Sequence, residues 1–544
     1  MKKLNIIYLF LVLGFVTSCD KKLDINTDPN SPTDANITSD LLLPSALLKT
    51  SRLTTSAGVA GGNNRLATLA RWLGVWSPST DFAQGEESKY IQTAGTSNGT
   101  WFTIYDQNNE FKSVENKSIA NGETFYQGIA LIMQSLNYQM GVDMFNDIPY
   151  SQALNPIILT PKYDKGEDIY LDLFKKIDAG IVLIKAADES KNFNLATGDI
   201  LRVSAIGFSS TTGLNSPANR KLKWVKFANT IKLRLLIHMS QMPNINTLAA
   251  TELAKINAEG SGYTGFGETI GVNPGFITAK PNHFWGNFIF DQANNAPNTF
   301  NRANNFSLNT MKALSDQRYR YFYKPIKGSP GTLPAHWIGI DYAPINSNPL
   351  LTSGVTSDIG GAATSAGGTT GLGKSATMDA WVLTAAESLF LQAEAKARGW
   401  NVPGSALTLY QDAVRESFNW LGVTVVITNP TPTPPTILTA TQVANIYLAQ
   451  SDNRIAFGTT LSDNLRAIAW QKYFAFNGNS HLEMWTDYRR LDIVPIPLSL
   501  DPGRGNNPIP VRFPYPQSEY DFNTANVKGA GGTDIFTSKI FWDR

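Results

Sequence analysis

Cysteine is almost missing: Cys19 stands alone in 544 residues. No disulfide can form within the chain, and a chain of this length can fold without one because it buries a large fraction of its surface. Histidine is scarce too. His238, His283, His336 and His481 lie far apart, and none falls in a zinc-ligand spacing such as His-Glu-x-x-His. Charged residues make up 17%, against roughly 25% in ordinary soluble domains. The net charge of +2 carries no basic block, which argues against nucleic acid as a partner. There is no Gly-x-Ser-x-Gly elbow of the hydrolase kind. Past Val16 no apolar run approaches the roughly 20 residues that span a bilayer.

What is present begins at the lone cysteine. Lys2 and Lys3 precede an apolar run from Leu4 to Val16, and the small residues Thr17 and Ser18 follow. That order describes a secretory signal peptide. Val16-Thr17-Ser18-Cys19 also fits the box read by the bacterial lipoprotein peptidase, which would leave Cys19 as an acylated N-terminus. Each buried methylene contributes roughly 0.8 kcal/mol, and stable anchoring takes more than one chain. The expected organisation is a signal over 1–18, a lipidated N-terminus and tether over 19–40, and one large domain over 41–544. Turn residues Asp28-Pro29-Asn30-Ser31-Pro32 punctuate the tether.

Within the domain, apolar residues recur at three- and four-residue steps, the mark of amphipathic helices. The clearest runs are Phe125 to Met140, Tyr170 to Ile184 and Trp224 to His238. A further run from Leu383 stops at Gly399 and restarts after Pro403-Gly404-Ser405, through Ala406 to Phe418. A short Gly/Pro turn between two helices makes an antiparallel hairpin, the unit of helical repeats. Between about 258 and 377 the periodicity gives way to Gly, Asn, Ser, Thr and Pro with isolated aromatic clusters. The fold expected is mostly α, a scaffold of helical hairpins carrying long loop-rich insertions.

Five segments, in order, carry a family resemblance. Cys19 to Asn26 with Asp28-Pro29 is one, and Asp143 to Leu154, with Asn146 where Gly is usual, is the second. Trp224 to Asn229 with Leu233-Arg234 is the third. Ala393 to Gly399 with Tyr410 to Ser417 is the fourth, and Gln471-Lys472-Tyr473 with Glu483 to Arg490 closes the set. Together they resemble the SusD/RagB lipoproteins, the surface partners of TonB-dependent outer-membrane transporters. The resemblance implies a tetratricopeptide-like scaffold without cofactor or catalytic role. It implies anchoring to the outer membrane through lipid, on the side facing the cell exterior. It also implies a glycan ligand passed to a SusC-like transporter. A surface-anchored glycan hydrolase, or a SusD-like protein that captures peptides, are the alternatives.

Sugar rings offer C–H faces that stack on indoles and phenols, and the chain has 12 Trp, 19 Tyr and 28 Phe. Trp76, Trp285 and Trp337 are the ligand-contact candidates, because loop-forming residues flank each of them. Trp101 and Tyr105, one helical turn apart, are expected to pack. Trp224, Arg234, Arg398, Arg415 and Trp485 are expected to be scaffold. Glu483 and Asp487 form either a carboxylate pair on one helical face or parts of an Arg–carboxylate network tying helices together. Gly368 to Ser375 satisfies the P-loop expression but follows no strand, so nucleotide binding is not expected. Asp24, Asn26, Asp28 and Asn30 alternate like a calcium loop without its glycine and glutamate, and read as tether; no metal is expected.

Overall fold

The computed structural model describes residues 37–55, 66–204, 213–291, 296–326, 336–344, 351–361, 371–427 and 436–543. Cys19 and the tether up to residue 36 lie outside them. The chain runs through α1 (Ser39–Thr54), α2 (Asn98–Asn121), α3 (Thr124–Phe145), α4 (Gly166–Ala186) and α5 (Arg220–His238). Beyond the loop-rich stretch come α6 (Ala385–Ala397), α7 (Ala406–Leu421), α8 (Leu461–Ala475) and α9 (His481–Leu491). Each of α1 to α6 packs on the next, and α6 packs on both α7 and α8. The predicted helical periods are helices, except that Leu383, where the fourth run begins, ends the strand Ala380–Leu383, and the mostly α fold class holds. Among the described residues no helix is long and apolar enough to cross a membrane.

Local chemistry sets these boundaries. After α6 the chain turns at Gly399, whose φ of +83° suits a residue without Cβ. α7 restarts where the Ser405 hydroxyl accepts the Thr408 N–H at 3.1 Å. Tyr410, Ala413, Val414, Ser417, Phe418 and Leu421 then form its buried face. α3 and α4 cross at Gly128 and Gly180, where a Cβ on either would lie within 3 Å of the other's carbonyl oxygen. At Asn146, where the resembling pattern has Gly, φ is +68° and ψ −102°, a combination outside the left-handed helical region that side chains rarely adopt.

The insertion of 258–377 is less irregular than its composition suggests. It contributes β2 (Thr269–Val272), which pairs antiparallel between β1 (Leu201–Ser204) and β3 (Ala380–Leu383). The register shifts between Ile270 and Gly271, so that Ile270 faces Leu383 while Gly271 faces Trp381. A bulge of this kind re-aims the side chains around it.

Ion pairs lock the helices where hydrophobic contact alone would allow sliding. Glu394 of α6 meets Arg490 of α9 at 2.8 Å (Nη2–Oε2) and Arg398 at 2.8 Å. Arg490 also reaches Asp487 at 2.7 Å, and Asp487 reaches Lys472 of α8 at 2.6 Å. Burial opposes the charge on Glu394, but Arg490 and Arg398 outweigh it and hold the carboxyl far below its ordinary range. Glu483 lies 2.8 Å from His238 of α5 and 3.7 Å from Arg234, which also pairs with Glu387. Glu483 and Asp487 therefore serve two different ion-pair clusters and not one carboxylate pair. Burial works against the His238 charge as well, yet Glu483 and Asp143 raise the imidazole to about 9.

Trp224 and Trp485 are fully buried, as scaffold residues should be. Arg489 lies 3.7 Å over the Trp485 ring. Arg415 is a correction: its side chain is 25% exposed and pairs at 2.8 Å with Asp412 of its own helix. It sits on the solvent side of α7, away from the apolar face that fixes the helix.

Candidate functional site

The ligand atoms of Asp143, His238 and Glu483 lie within 4.8 Å of one another, a metal-like grouping. Its donors are spent on protein. Asp143 accepts the Tyr170 hydroxyl and the Trp542 indole N–H at 3.0 Å. Arg234 and Arg489 already supply positive charge to the two carboxylates. The arrangement is a buried ion-pair cluster.

A cleft of about 270 Å³ lies instead between β2, the segment leading into β3, and the C-terminal turn of α7. Trp381 and Trp420 cross in it edge to face, with ring centroids 5.4 Å apart and planes at 90°. Trp381 is buried, 3% exposed, its indole N–H donating to Asn479 O at 2.7 Å and Phe284 packing on it at 4.8 Å, so it backs the cleft and Trp420 offers the accessible ring. Trp420 lies off the buried face of α7 and is half-buried. The Lys374 ammonium sits 5.1 Å over the Trp420 ring and donates to the Trp420 carbonyl. A cation there is favoured both by the ring face and by the C-terminal end of α7.

Two carboxylates complete the wall. Glu416, one helical turn before Trp420, accepts the Gly267 N–H at 2.9 Å. Burial pushes its carboxyl up to about 7, against the opposing pull of Gly267 and Lys374. Burial likewise pulls Lys374 down to about 8, with Glu416 opposing. Asp379 accepts from Asn273 Nδ2 at 2.7 Å. It can stand this close to β2 because Gly271 has no side chain: a Cβ there would lie 3.1 Å from the Asp379 Cβ. Aromatic edges, acceptors and a donor thus surround one small space.

The sequence candidates fall differently. Trp76 belongs to a short strand, Trp76–Pro78, paired with Asn301–Ala303, and is fully buried among Phe284, Phe288 and His481. Trp337 is 2% exposed, its N–H donating to Tyr323 O at 3.0 Å and Tyr319 against its ring. Neither presents a ring face, which corrects the expectation for both: a segment outside a helix still packs when a strand or a backbone acceptor anchors it. Trp285 is half-buried and stacks on Phe290 at 5.3 Å. Asn282 ties its turn to the cleft, accepting the Trp285 N–H at 3.1 Å and donating to Met378 O at 3.1 Å. Trp101 packs on Tyr105 at 5.1 Å, as expected.

Trp381 and Trp420 were not among the sequence candidates. Trp420 left a signal, an indole at a position outside the apolar face of a strongly amphipathic helix. Trp381, inside the buried strand Ala380–Leu383, left none. The P-loop-like segment lies partly outside the described residues. Its Gly371 has φ of +74° and packs so closely on Tyr321 that a Cβ would overlap the carbonyl oxygen. Its Lys374 faces Trp420, so the described glycines and lysine serve packing and the cleft.

Comparison with known proteins adds independent evidence. A SusD-like family model, described as starch-binding proteins associating with the outer membrane, matches residues 29–516. None of the curated proteins compared with the chain matches it. A SusD homologue from Bacteroides uniformis superposes with a TM-score of 0.68 at 21% identity, covering 92% of this chain and 99% of that one. A chitin-binding SusD homologue from Flavobacterium johnsoniae gives a TM-score of 0.68 at 20% identity, covering 92% and 98%. A SusD homologue from Bacteroides fragilis gives 0.67 at 18% identity, covering 92% and 100%. At these identities the superpositions establish the fold.

Proposed function

The chain belongs to the SusD-like family of starch-binding proteins associating with the outer membrane, and from that premise we propose that it captures glycans at the outer membrane for uptake. Cys19 carries the lipid anchor, the domain faces the cell exterior, and a SusC-like TonB-dependent transporter receives the cargo. The observation that carries the glycan reading is the cleft: Trp420, backed by the buried Trp381, lies beside Glu416, Asp379 and Lys374, so that apolar ring surface meets acceptors and a donor. Neutral sugars need that combination, because their C–H faces are apolar and their edges are hydroxyls. The Val16–Cys19 box supports the anchor. The role is binding and not hydrolysis.

The test is retention and integrity of the ligand. Detergent-extracted full-length protein run through gels containing starch, chitin, xylan or pectin should be retarded by at least one, and oligosaccharides incubated with it should keep their length. Shortened products would favour the surface-hydrolase alternative. Retention of peptides with no glycan retained would favour the peptide-capture alternative. For the anchor, a fatty-acid analogue should label the wild type and spare Cys19→Ala; equal labelling would remove the lipid assignment.

A further inference from the structure

We propose that the Trp381–Trp420 cleft receives one uncharged sugar ring of a glycan chain. The inference rests on the glycan-binding reading and deepens it. Size is the first reason: about 270 Å³ falls below the roughly 300–1,000 Å³ of pockets for drug-sized ligands, which suits a single ring. Shape is the second: β2, residues 372–374, the segment before β3 and the last turn of α7 line a cleft that stays partly open, so the remainder of a glycan can lie outside it.

The charge pattern supplies the third reason. Glu416 and Asp379 place two carboxylates beside a single ammonium, Lys374. Ionised carboxylates only accept hydrogen bonds and an ammonium only donates, whereas a hydroxyl does both. A ring of hydroxyls therefore meets groups of both signs without bringing a charge of its own. A uronic acid would set a third carboxyl group against the two that line the cleft. Glu416 contributes directly: the Gly267 N–H uses one of its lone pairs, and a carboxylate offers about four. Trp420 contributes the outer ring wall, and the bulged register places Trp381 opposite Gly271 on the inner side.

Calorimetric titration of the full-length protein tests this with malto-, cello-, chito- and galacturonate oligosaccharides. Neutral chains should bind at least tenfold more tightly than galacturonates, and lengthening a bound series from disaccharide to heptasaccharide should change Kd less than threefold. Trp420→Leu and Glu416→Gln should each weaken the best neutral ligand about tenfold, with the melting temperature measured separately; Glu416→Gln keeps the test open if Trp420→Leu does not fold. A preference for galacturonates, or affinity rising steadily with chain length, overturns the proposal. If the wild type binds neutral sugars and both folded variants bind within twofold of it, the cleft assignment fails while the glycan-binding reading survives. If no glycan is held under any condition, that reading falls and takes this inference with it.

Discussion

Glu394 and Glu416 sit on the two arms of one helical hairpin, both buried, and they behave in opposite ways. Burial opposes ionisation at both. At Glu394 two guanidiniums more than offset it, and the carboxyl stays far below its ordinary range. At Glu416 a single backbone N–H and a more distant ammonium do not, and the carboxyl is pushed up to about 7. The difference separates scaffold from site. A scaffold carboxylate is fully satisfied from within the protein, whereas the cleft carboxylate keeps bonding capacity that burial makes costly to leave unused. The same hairpin thus carries a finished interaction on α6 and an open one on α7.

The sharpest way to break the comparison is to remove a scaffold partner. Arg490→Met leaves Glu394 with Arg398 alone and leaves Asp487 with Lys472 alone. Stripping one partner from a buried ion pair costs about 3–5 kcal/mol. Chemical denaturation should show a loss of that size at neutral pH. A loss below about 1 kcal/mol would mean that the Glu394 cluster is not what locks α6 to α9.

The next test uses pH. Glu416 titrates near 7 when folded and has an ordinary value of 4.5, so the folded protein holds more protons than the unfolded chain between those values. Its contribution to stability is complete below pH 4.5 and declines as pH rises through 7. At 1.36 kcal/mol per unit the decline is at most about 3 kcal/mol. Glu416→Gln lacks that slope, so its stability relative to wild type should rise between pH 4.5 and 8. His238 occupies the adjoining window, raised from 6.5 to about 9, and its contribution disappears as pH climbs through 9. His238→Gln should be less stable than wild type at pH 6.5, with the gap narrowing toward pH 9.5. Parallel stability curves for wild type and either variant would refute the corresponding assignment. Glu483 works in the reverse sense: held at about 2 against burial by Arg234 and His238, it loses its contribution as pH falls from 4.5 toward 2.

These contrasts explain what could be read before the fold was known. Helices were legible because their apolar periods recur over many turns, as in Tyr170 to Ile184, and their ends carry Gly399 or Ser405. The charged signatures were legible as bridges because carboxylates and guanidiniums stood beside those apolar faces. The cleft was not. It joins Gly271, Asp379, Trp381 and Glu416 from three separate stretches through a strand pairing that no local pattern announces. Trp76 and Trp337 misled for a related reason. Their flanking residues exclude a helix, but exclusion from a helix leaves open whether a short strand or a backbone acceptor buries the ring.

Arg415 gives the smallest expected effect and tests the boundary between the two regions most directly. It stands next to Glu416 in the chain and within the same signature as the scaffold arginines, so sequence groups it with them. Its environment does not: the side chain is 25% exposed, and its partners are Asp412, Gln411 and Asn445. Exposed pairs three residues apart on a helix contribute about 0.3–0.5 kcal/mol, because water screens them and two long side chains must be held in place. Arg415→Ala should therefore lower stability by less than about 1 kcal/mol. Raising the salt to 1 M, where screening acts within about 3 Å, should shrink even that difference. Ligand affinity should stay within twofold, since the residue does not line the cleft. A loss comparable to that of Arg490→Met would show that the outer face of α7 is locked by charge as firmly as α6, and the division between a finished and an open arm of the hairpin would no longer hold.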